Sequence, residues 1–517
     1  MRSIRIRILA VIAVLAIVGF GAWHLLPSDE VNEDSIKVGT SDEVTSLDPA
    51  GAYDAGSWAI YSNLYQSLMT FRSGAIVPEP DAAESCGFVG QKLQTYQCRL
   101  RDDLTFTSGR KVTAADVKYS FDRMLKIEAD VGPSVLFPTL GSVVTEGRTI
   151  TFNLSARDAT FPQKLATGAG SIVDPGAYPK DKLRTGNQVD GSGPYVLKSY
   201  EPGVRAELVP NPAYRGALKR TGVPVDIRYF EGSDQLQAAW QAGDVDVTHR
   251  QLPADKLAEL DPGATEQRVT EADSAEIRNL VFNVRDDSPL ADKRVRQALA
   301  WIIDRGPLVG DVYHSTVEPL YSLIPQGYIG HSTPFFDAYP QPDPKRARAL
   351  MQEAGVRIPL PITFAHRDDD ANKAESAELV RQLEKDGLFE VTEKAVEWQA
   401  FQKAYAAGEY DAYTIGWLPD FPDSDTFSQP LVGRDSSLHN GYASEKMDAL
   451  IAATQQYSDR GRTSADFKEL QQLVGEDVPL IPLWQKKDYV VATSEVSGSQ
   501  YLSDGTGIWR LWELSWI

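Results

Sequence analysis

One stretch of this chain constrains the rest. Arg2, Arg5 and Arg7 precede an uncharged apolar run from Ile8 to Leu26, and no comparable run occurs in the remaining sequence. A basic flank before an apolar run stays on the cytoplasmic side and directs the downstream chain across the membrane. The run is 19 residues long, close to the ~20 that span a bilayer and long for a cleaved signal. This length favours an uncleaved N-terminal anchor, although Gly19 and Gly21 form a weak small-x-small cleavage site. No cysteine follows the run, which excludes a lipid anchor on a cysteine there. Residues 1–35 are therefore read as anchor or signal plus a short acidic tether, and everything after them as folded outside the cytoplasm.

An exported location gives the two cysteines a meaning. Cys86 and Cys98 are the only pair, and a close pair in an oxidising compartment is expected to form a disulfide. Two thiolates alone make a poor metal site. The formal net charge of −20 repels phosphate backbones and argues against a nucleic-acid partner. It reads as a solvated acidic surface.

With 517 residues, the chain has material for roughly three folding units. Helix and strand signals alternate without solenoid repeats. Thr113-Ala-Ala-Asp116 resembles a capping box, after which Val117, Phe121, Met124 and Leu125 share a helical face. Asp292 is expected to cap a helix with Val295, Ala298, Leu299 and Ile302 on one stripe. Asp343-Pro344 starts another, ending at Gly355, with Pro at the first helical position and Gly past the end. Thr149–Leu154 alternates polar and apolar residues behind a Glu146-Gly147 turn, and 96–100 and Arg205–Pro210 read as further strands. The mixture predicts α/β lobes with mixed sheets.

Several segments, in order, carry a resemblance. They are Ser46-Leu-Asp-Pro49 with Tyr61-Ser-Asn-Leu-Tyr-Gln-Ser-Leu68, and Arg99 to Gly109 running into Val112 to Arg123. Next come Gly191-Ser-Gly-Pro-Tyr195, Asn211-Pro-Ala-Tyr214 and Gln237 to Asp246, then Leu290 to Leu299, Asp343 to Gly355, Gly416-Trp-Leu-Pro-Asp420 and Pro479-Leu-Ile-Pro-Leu483. Together, over roughly residues 36 to 490, the chain resembles the bacterial extracellular solute-binding proteins of family 5, the oligopeptide, dipeptide and nickel group. The resemblance implies a periplasmic-binding-protein-like fold of two α/β lobes, joined by a hinge that the chain crosses twice. It places lobe I at 36–275 with an extra subdomain at about 70–170, lobe II at 276–485, and a return to lobe I at 486–517. It also implies a monomer that captures peptides by hinge closure and hands them to an ABC permease. An anchored solute sensor, or a binder of a nickel chelate or oligosaccharide, is the alternative.

Motifs of catalysis are missing: there is no Gly-x-Ser-x-Gly, P-loop or His-Glu-x-x-His. None of the six histidines, His24, His249, His314, His331, His366 and His439, is paired at ligand spacing. Neither an enzyme activity, a cofactor nor a metal is expected. By resemblance, Asp420 would pair with a ligand's α-amino group, beside Trp417. Asp423 and Asp425 read as turn or cap residues. Ser57 and Trp58, in Asp54-Ala-Gly-Ser-Trp58, would face the ligand. Thr414 stands where oligopeptide-type relatives place an arginine. The carboxylate partner is therefore open, with Arg278, Arg285 and Arg367 as candidates by charge. Trp509, Trp512 and Trp516 read as lobe packing, with a sugar platform as the alternative.

Overall fold

The computed structural model describes residues 35–129, 132–249, 252–261, 263–503 and 505–517. The apolar run from Ile8 to Leu26, with the anchor reading built on it, lies outside the described residues. Among those described, no helix is long and apolar enough to cross a membrane.

A single 11-stranded mixed sheet runs through the molecule. At its centre, Gln267–Phe282 and Leu480–Thr493 pair antiparallel from Gln267↔Thr493 to Val281↔Leu480. One end of this ladder joins Val247–His249, then Ile36–Thr40, Val225–Tyr229, Arg205–Pro210 and Tyr195–Glu201. The other end joins Ala412–Trp417, then Leu360–Arg367 and Phe389–Val396. The chain thus passes between the halves on two long strands. Their register slips between Asp273 and Ile277, and such an irregularity loosens the ladder and bends a strand locally. Gln485 spans this gap, donating from Nε2 to the Ser274 carbonyl at 2.8 Å.

Two apolar cores flank the crossing. One gathers side chains from Ile36 to Val247 and again from Val490 to Leu514. The other gathers side chains from Ala275 to Trp484. Phe421 lies within the second stretch of sequence yet is buried in the first core. Trp509 and Trp512 are buried in that core as well, so these two pack the lobe.

The caps form as read, but the helix capped by Asp292 is Lys293–Ala300 and stops short of Ile302, which is buried beyond its end. Thr113 and Asp116 make a reciprocal capping box at helix Ala114–Ile127. Asp292 accepts from the Arg294 amide, and Asp343 from those of Lys345 and Arg346. Gly191-x-Gly193 has a steric cause: a Cβ on Gly191 would sit 2.0 Å from the Leu64 carbonyl oxygen, and one on Gly193 2.5 Å from that of Asn63. Only glycine lets this turn lie against the end of helix Ala55–Leu64.

The first lobe carries a four-stranded antiparallel sheet in the order Ala83–Phe88, Thr95–Leu100, Thr149–Leu154, Leu140–Glu146. Helix Ala114–Ile127 packs on its apolar face through Phe121, whose ring is 5.1 Å from that of Phe152. Cys86 and Cys98 stand opposite each other on the first two strands and form a disulfide. Closing a loop of this size constrains the unfolded chain by about 3 kcal/mol in the chain-entropy model. The Cys86→Ser, Cys98→Ser double variant is accordingly expected to lose about that much stability in urea melts. An unchanged midpoint would contradict it.

Candidate functional site

The loop after strand Ala412–Trp417 builds the site. This strand pairs antiparallel with the crossing strand, Trp417 opposite Ile277, and parallel with Leu360–Arg367. At Trp417 the chain leaves the sheet. The half-buried Trp417 indole donates from Nε1 to the Thr426 carbonyl at 2.8 Å, closing the loop on itself. Asp423 caps a short 3-10 turn at Ser424–Phe427 through the Asp425 amide. Its carboxylate also receives Arg460 on both oxygens, at 2.7 and 2.9 Å. Asp423 is therefore both a cap and one half of a buried ion pair.

Asp420 lies at the seam between the lobes and is 6% exposed. Tyr53, from the other lobe, donates its hydroxyl to Oδ1 at 2.6 Å. Thr426 donates to Oδ2 at 3.2 Å and accepts from the Asp420 amide at 3.0 Å. All of these partners are neutral. Burial pushes the carboxyl up to about 6, against the hydrogen bonds from Tyr53 and Thr426 and the charge of Lys164. Asp425 is buried too, and among the described residues only hydroxyls contact its carboxylate. Thr160 lies across the seam at 3.3 Å, its hydroxyl shared with Asp158 Oδ1 at 3.0 Å, and Ser428 lies at 3.2 Å, shared with the Asp425 carbonyl at 2.9 Å. Burial also raises its pKa, partly offset by Lys164.

The two cations here are already engaged. Lys164 bonds Asp158 at 2.7 Å, and Arg460 holds Asp423. Four buried carboxylates, Asp158, Asp420, Asp423 and Asp425, thus face two cationic side chains. A third lobe-crossing bond runs from the Ala159 amide to Gln455 Oε1 at 3.1 Å. With Phe421 seated in the opposite core, these contacts describe a shut seam.

The structure distributes the four expected ligand contacts unequally. Trp417 and Asp420 share the loop. Trp58 is 5% exposed and backs Tyr53, with ring centroids 5.4 Å apart. Its indole lies so close to Gly168 that a Cβ there would be 2.9 Å away. Ser57 is fully buried. It donates to Asp54 Oδ2 at 2.9 Å and accepts from the Thr45 amide at 3.0 Å, so its one hydroxyl proton is used internally. Tyr53, Thr160 and Lys164 are seam residues that the sequence did not single out. Tyr53 immediately precedes the segment named for ligand contact.

Of the three arginines, Arg278 gives Nε to Glu375 at 2.7 Å and Nη2 to Thr414 at 3.0 Å. Arg285 binds the Ala406 and His439 carbonyls at 3.2 and 2.6 Å. Arg367, at the end of its strand, is different. Its side chain is 57% exposed, with Asp369 at 3.3 Å. Because this strand runs parallel to Ala412–Trp417, both strands end toward the seam. Among the described residues, no group of three His, Cys, Asp or Glu side chains could hold a metal ion. A groove of about 640 Å³ lined by Trp301, Tyr339, Arg346 and Lys468 lies elsewhere in the second lobe and contains no seam residue.

Comparison with known proteins gives concordant findings. Residues 77–438 match the family described as bacterial extracellular solute-binding proteins, family 5 Middle. A probable D,D-dipeptide-binding periplasmic protein of Escherichia coli is 28% identical over 484 residues, covering 90% of this chain and 92% of its own. A dipeptide-binding protein of Pseudomonas aeruginosa is 26% identical, with 86% and 87% covered. The solved dipeptide-binding protein from Pseudoalteromonas sp. SM9913, in complex with Met-Leu, superposes with a TM-score of 0.81 at 19% identity, over 93% of this chain and all of its own.

Proposed function

Since the chain belongs to the bacterial extracellular solute-binding proteins of family 5, we propose that it captures short peptides with a free amino end between its lobes and presents them to an ABC permease. The observation that carries this reading is Asp420, a carboxylate buried at the seam with no bonded cation among the described residues. A buried charge is costly unless paired, and a peptide ammonium supplies the missing charge. The relatives named for dipeptides support the same ligand class.

In this reading the lobes are 36–275 with 486–517, and 276–485, and the slip between Asp273 and Ile277 is the hinge. A ligand touching both lobes binds only the closed state and shifts the population toward it. Trp417 walls the site. Arg367 takes the peptide carboxylate, because Arg278 and Arg285 are held inside the lobe while Arg367 is 57% exposed, beside Asp369 and the Trp398 ring, at the strand end that leads toward the seam. The protein works as a monomer on the outer face of the membrane, held by its N-terminal segment, and releases its ligand chemically unchanged.

Calorimetry with dialanine and Met-Leu tests the reading, each with a free, an N-acetylated and a C-amidated form. Acetylation is expected to abolish binding. Amidation should weaken binding by the same factor as Arg367→Ala, and should have no further effect in that variant. Equal affinity for free and acetylated peptides would reject the ammonium site. Additive losses from amidation and Arg367→Ala would reject Arg367 alone.

A further inference from the structure

Among the described residues, Tyr53 is the one first-lobe side chain hydrogen-bonded to Asp420, and the bond crosses the shut seam. Helix Ala55–Leu64 and the loop before it place it there. Trp58 supports one side of the ring, and the hydroxyl donates to Oδ1 at 2.6 Å. We propose that Tyr53 is a positioning residue that makes closure itself hold the Asp420 carboxylate ionised and oriented for a cationic ligand. The proposal rests on the ammonium reading of Asp420 and adds to it a specific coupling between closure and charge.

The groups around the carboxylate set its electrostatics. Closure removes water from Asp420, which favours its neutral form. From the first lobe, Tyr53 and the Lys164 charge oppose this effect, as does Thr426 within the loop, while Asp425 adds to it. Lys164 is shared with Asp158, and Arg460 is taken by Asp423. Tyr53 is itself held as a donor, because burial and then the Asp420 charge raise its phenol well above the ordinary value. The hydroxyl therefore supplies a hydrogen bond to the ionised form that is absent from an open cleft.

The sign of the pH dependence is fixed. An ammonium ligand binds the carboxylate and not the acid, so affinity is full above the Asp420 pKa of about 6 and is lost as pH falls through it. Removing the hydroxyl takes away a stabiliser of the charged form and moves that loss to higher pH. A hydrogen bond to a charged group is strong enough to move a pKa by about one unit, a tenfold change in affinity per unit below the midpoint.

The test measures affinity for a pool of alanine, leucine, methionine and lysine dipeptides between about pH 5 and 7.5, below the titration of a peptide amino group near ~7.7–8.0. In Tyr53→Phe, which keeps the ring against Trp58, the acid loss of affinity should begin about one unit higher than in the wild type. Fluorinated tyrosine at position 53 is a stronger donor of nearly the same shape and should move the loss the other way. Asp420→Asn should bind weakly with a flat profile. Superimposed wild-type, Tyr53→Phe and fluorotyrosine profiles, beside a flat Asp420→Asn profile, would overturn the role of Tyr53 and leave the ammonium site standing. An Asp420→Asn protein with wild-type affinity and profile, or a wild type that binds none of the pool at the upper pH, would remove the ammonium reading and this inference with it.

Discussion

Asp420→Ala is expected to weaken binding of free-amino peptides by about 2–5 kcal/mol, the usual loss when one partner of a buried charge pair is removed. The effect is large because the described seam residues offer no substitute. Lys164 and Arg460 are tied to Asp158 and Asp423, and the other carboxylate without a bonded cation, Asp425, belongs to the same loop with its own hydroxyl partners. Melting temperature should change little, since the lost hydrogen bonds come from Tyr53 and Thr426 alone. Removing the carboxylate also relieves a buried anion in the ligand-free protein. Calorimetry separates the two effects: a binding loss without a stability loss fits a ligand contact, whereas the reverse pattern fits a purely structural aspartate.

Arg123→Ala is expected to cost about 3–5 kcal/mol of stability, the penalty for leaving a buried charge unpaired. Arg123 and Asp48 are each 1% exposed at the side chain and meet through two bonds of 2.8 and 2.5 Å. The guanidinium also donates to the Pro179 and Lys182 carbonyls. Asp48 in turn accepts the Ala50 and Arg184 amides. The pair therefore fastens the Leu-Asp-Pro segment, the end of helix Ala114–Ile127 and the 179–184 loop at one point. Urea unfolding should show the loss, and an Asp48→Asn, Arg123→Met double variant should recover part of it. A single variant that melts like the wild type would show that the pair is dispensable.

How much the sequence could reveal depended on distance along the chain. The Thr113 box, the Asp292 and Asp343 caps and the strand Thr149–Leu154 are local, and each formed where its pattern lay. The Asp420 loop was singled out through its motif, and the structure buries Asp420 at the seam. The bond from Tyr53 to Asp420 was not, because it spans 367 positions and no local pattern encodes which residue of one lobe meets the other. Ser57 shows a different limit. A segment can lie near a ligand while individual side chains in it turn inward, and Asp54-x-x-Ser57 is also the spacing of a helix N-cap. The structure uses it so, with the Ser57 amide bonded to Asp54 Oδ1 at 2.8 Å. Arg278, Arg285 and Arg367 were indistinguishable by charge, and only their partners and exposure separate them.

Shared motifs acquire physical reasons in the same way. Ser46-Leu-Asp-Pro49 and the end of Val112–Arg123 are far apart in sequence but meet as the Asp48–Arg123 pair. Gly191 and Gly193 are small because helix Ala55–Leu64 leaves no room for a Cβ. These contacts tie distant segments of the first lobe together on the Tyr53 side of the seam.

Small-angle X-ray scattering of residues 36–517, with and without saturating dipeptide, tests the central claim most directly. Two lobes turning about the crossing strands predict a smaller radius of gyration with peptide than without, and the same small value for a variant cross-linked across the seam. An identical scattering curve with and without peptide, at concentrations where calorimetry shows full occupancy, would contradict it.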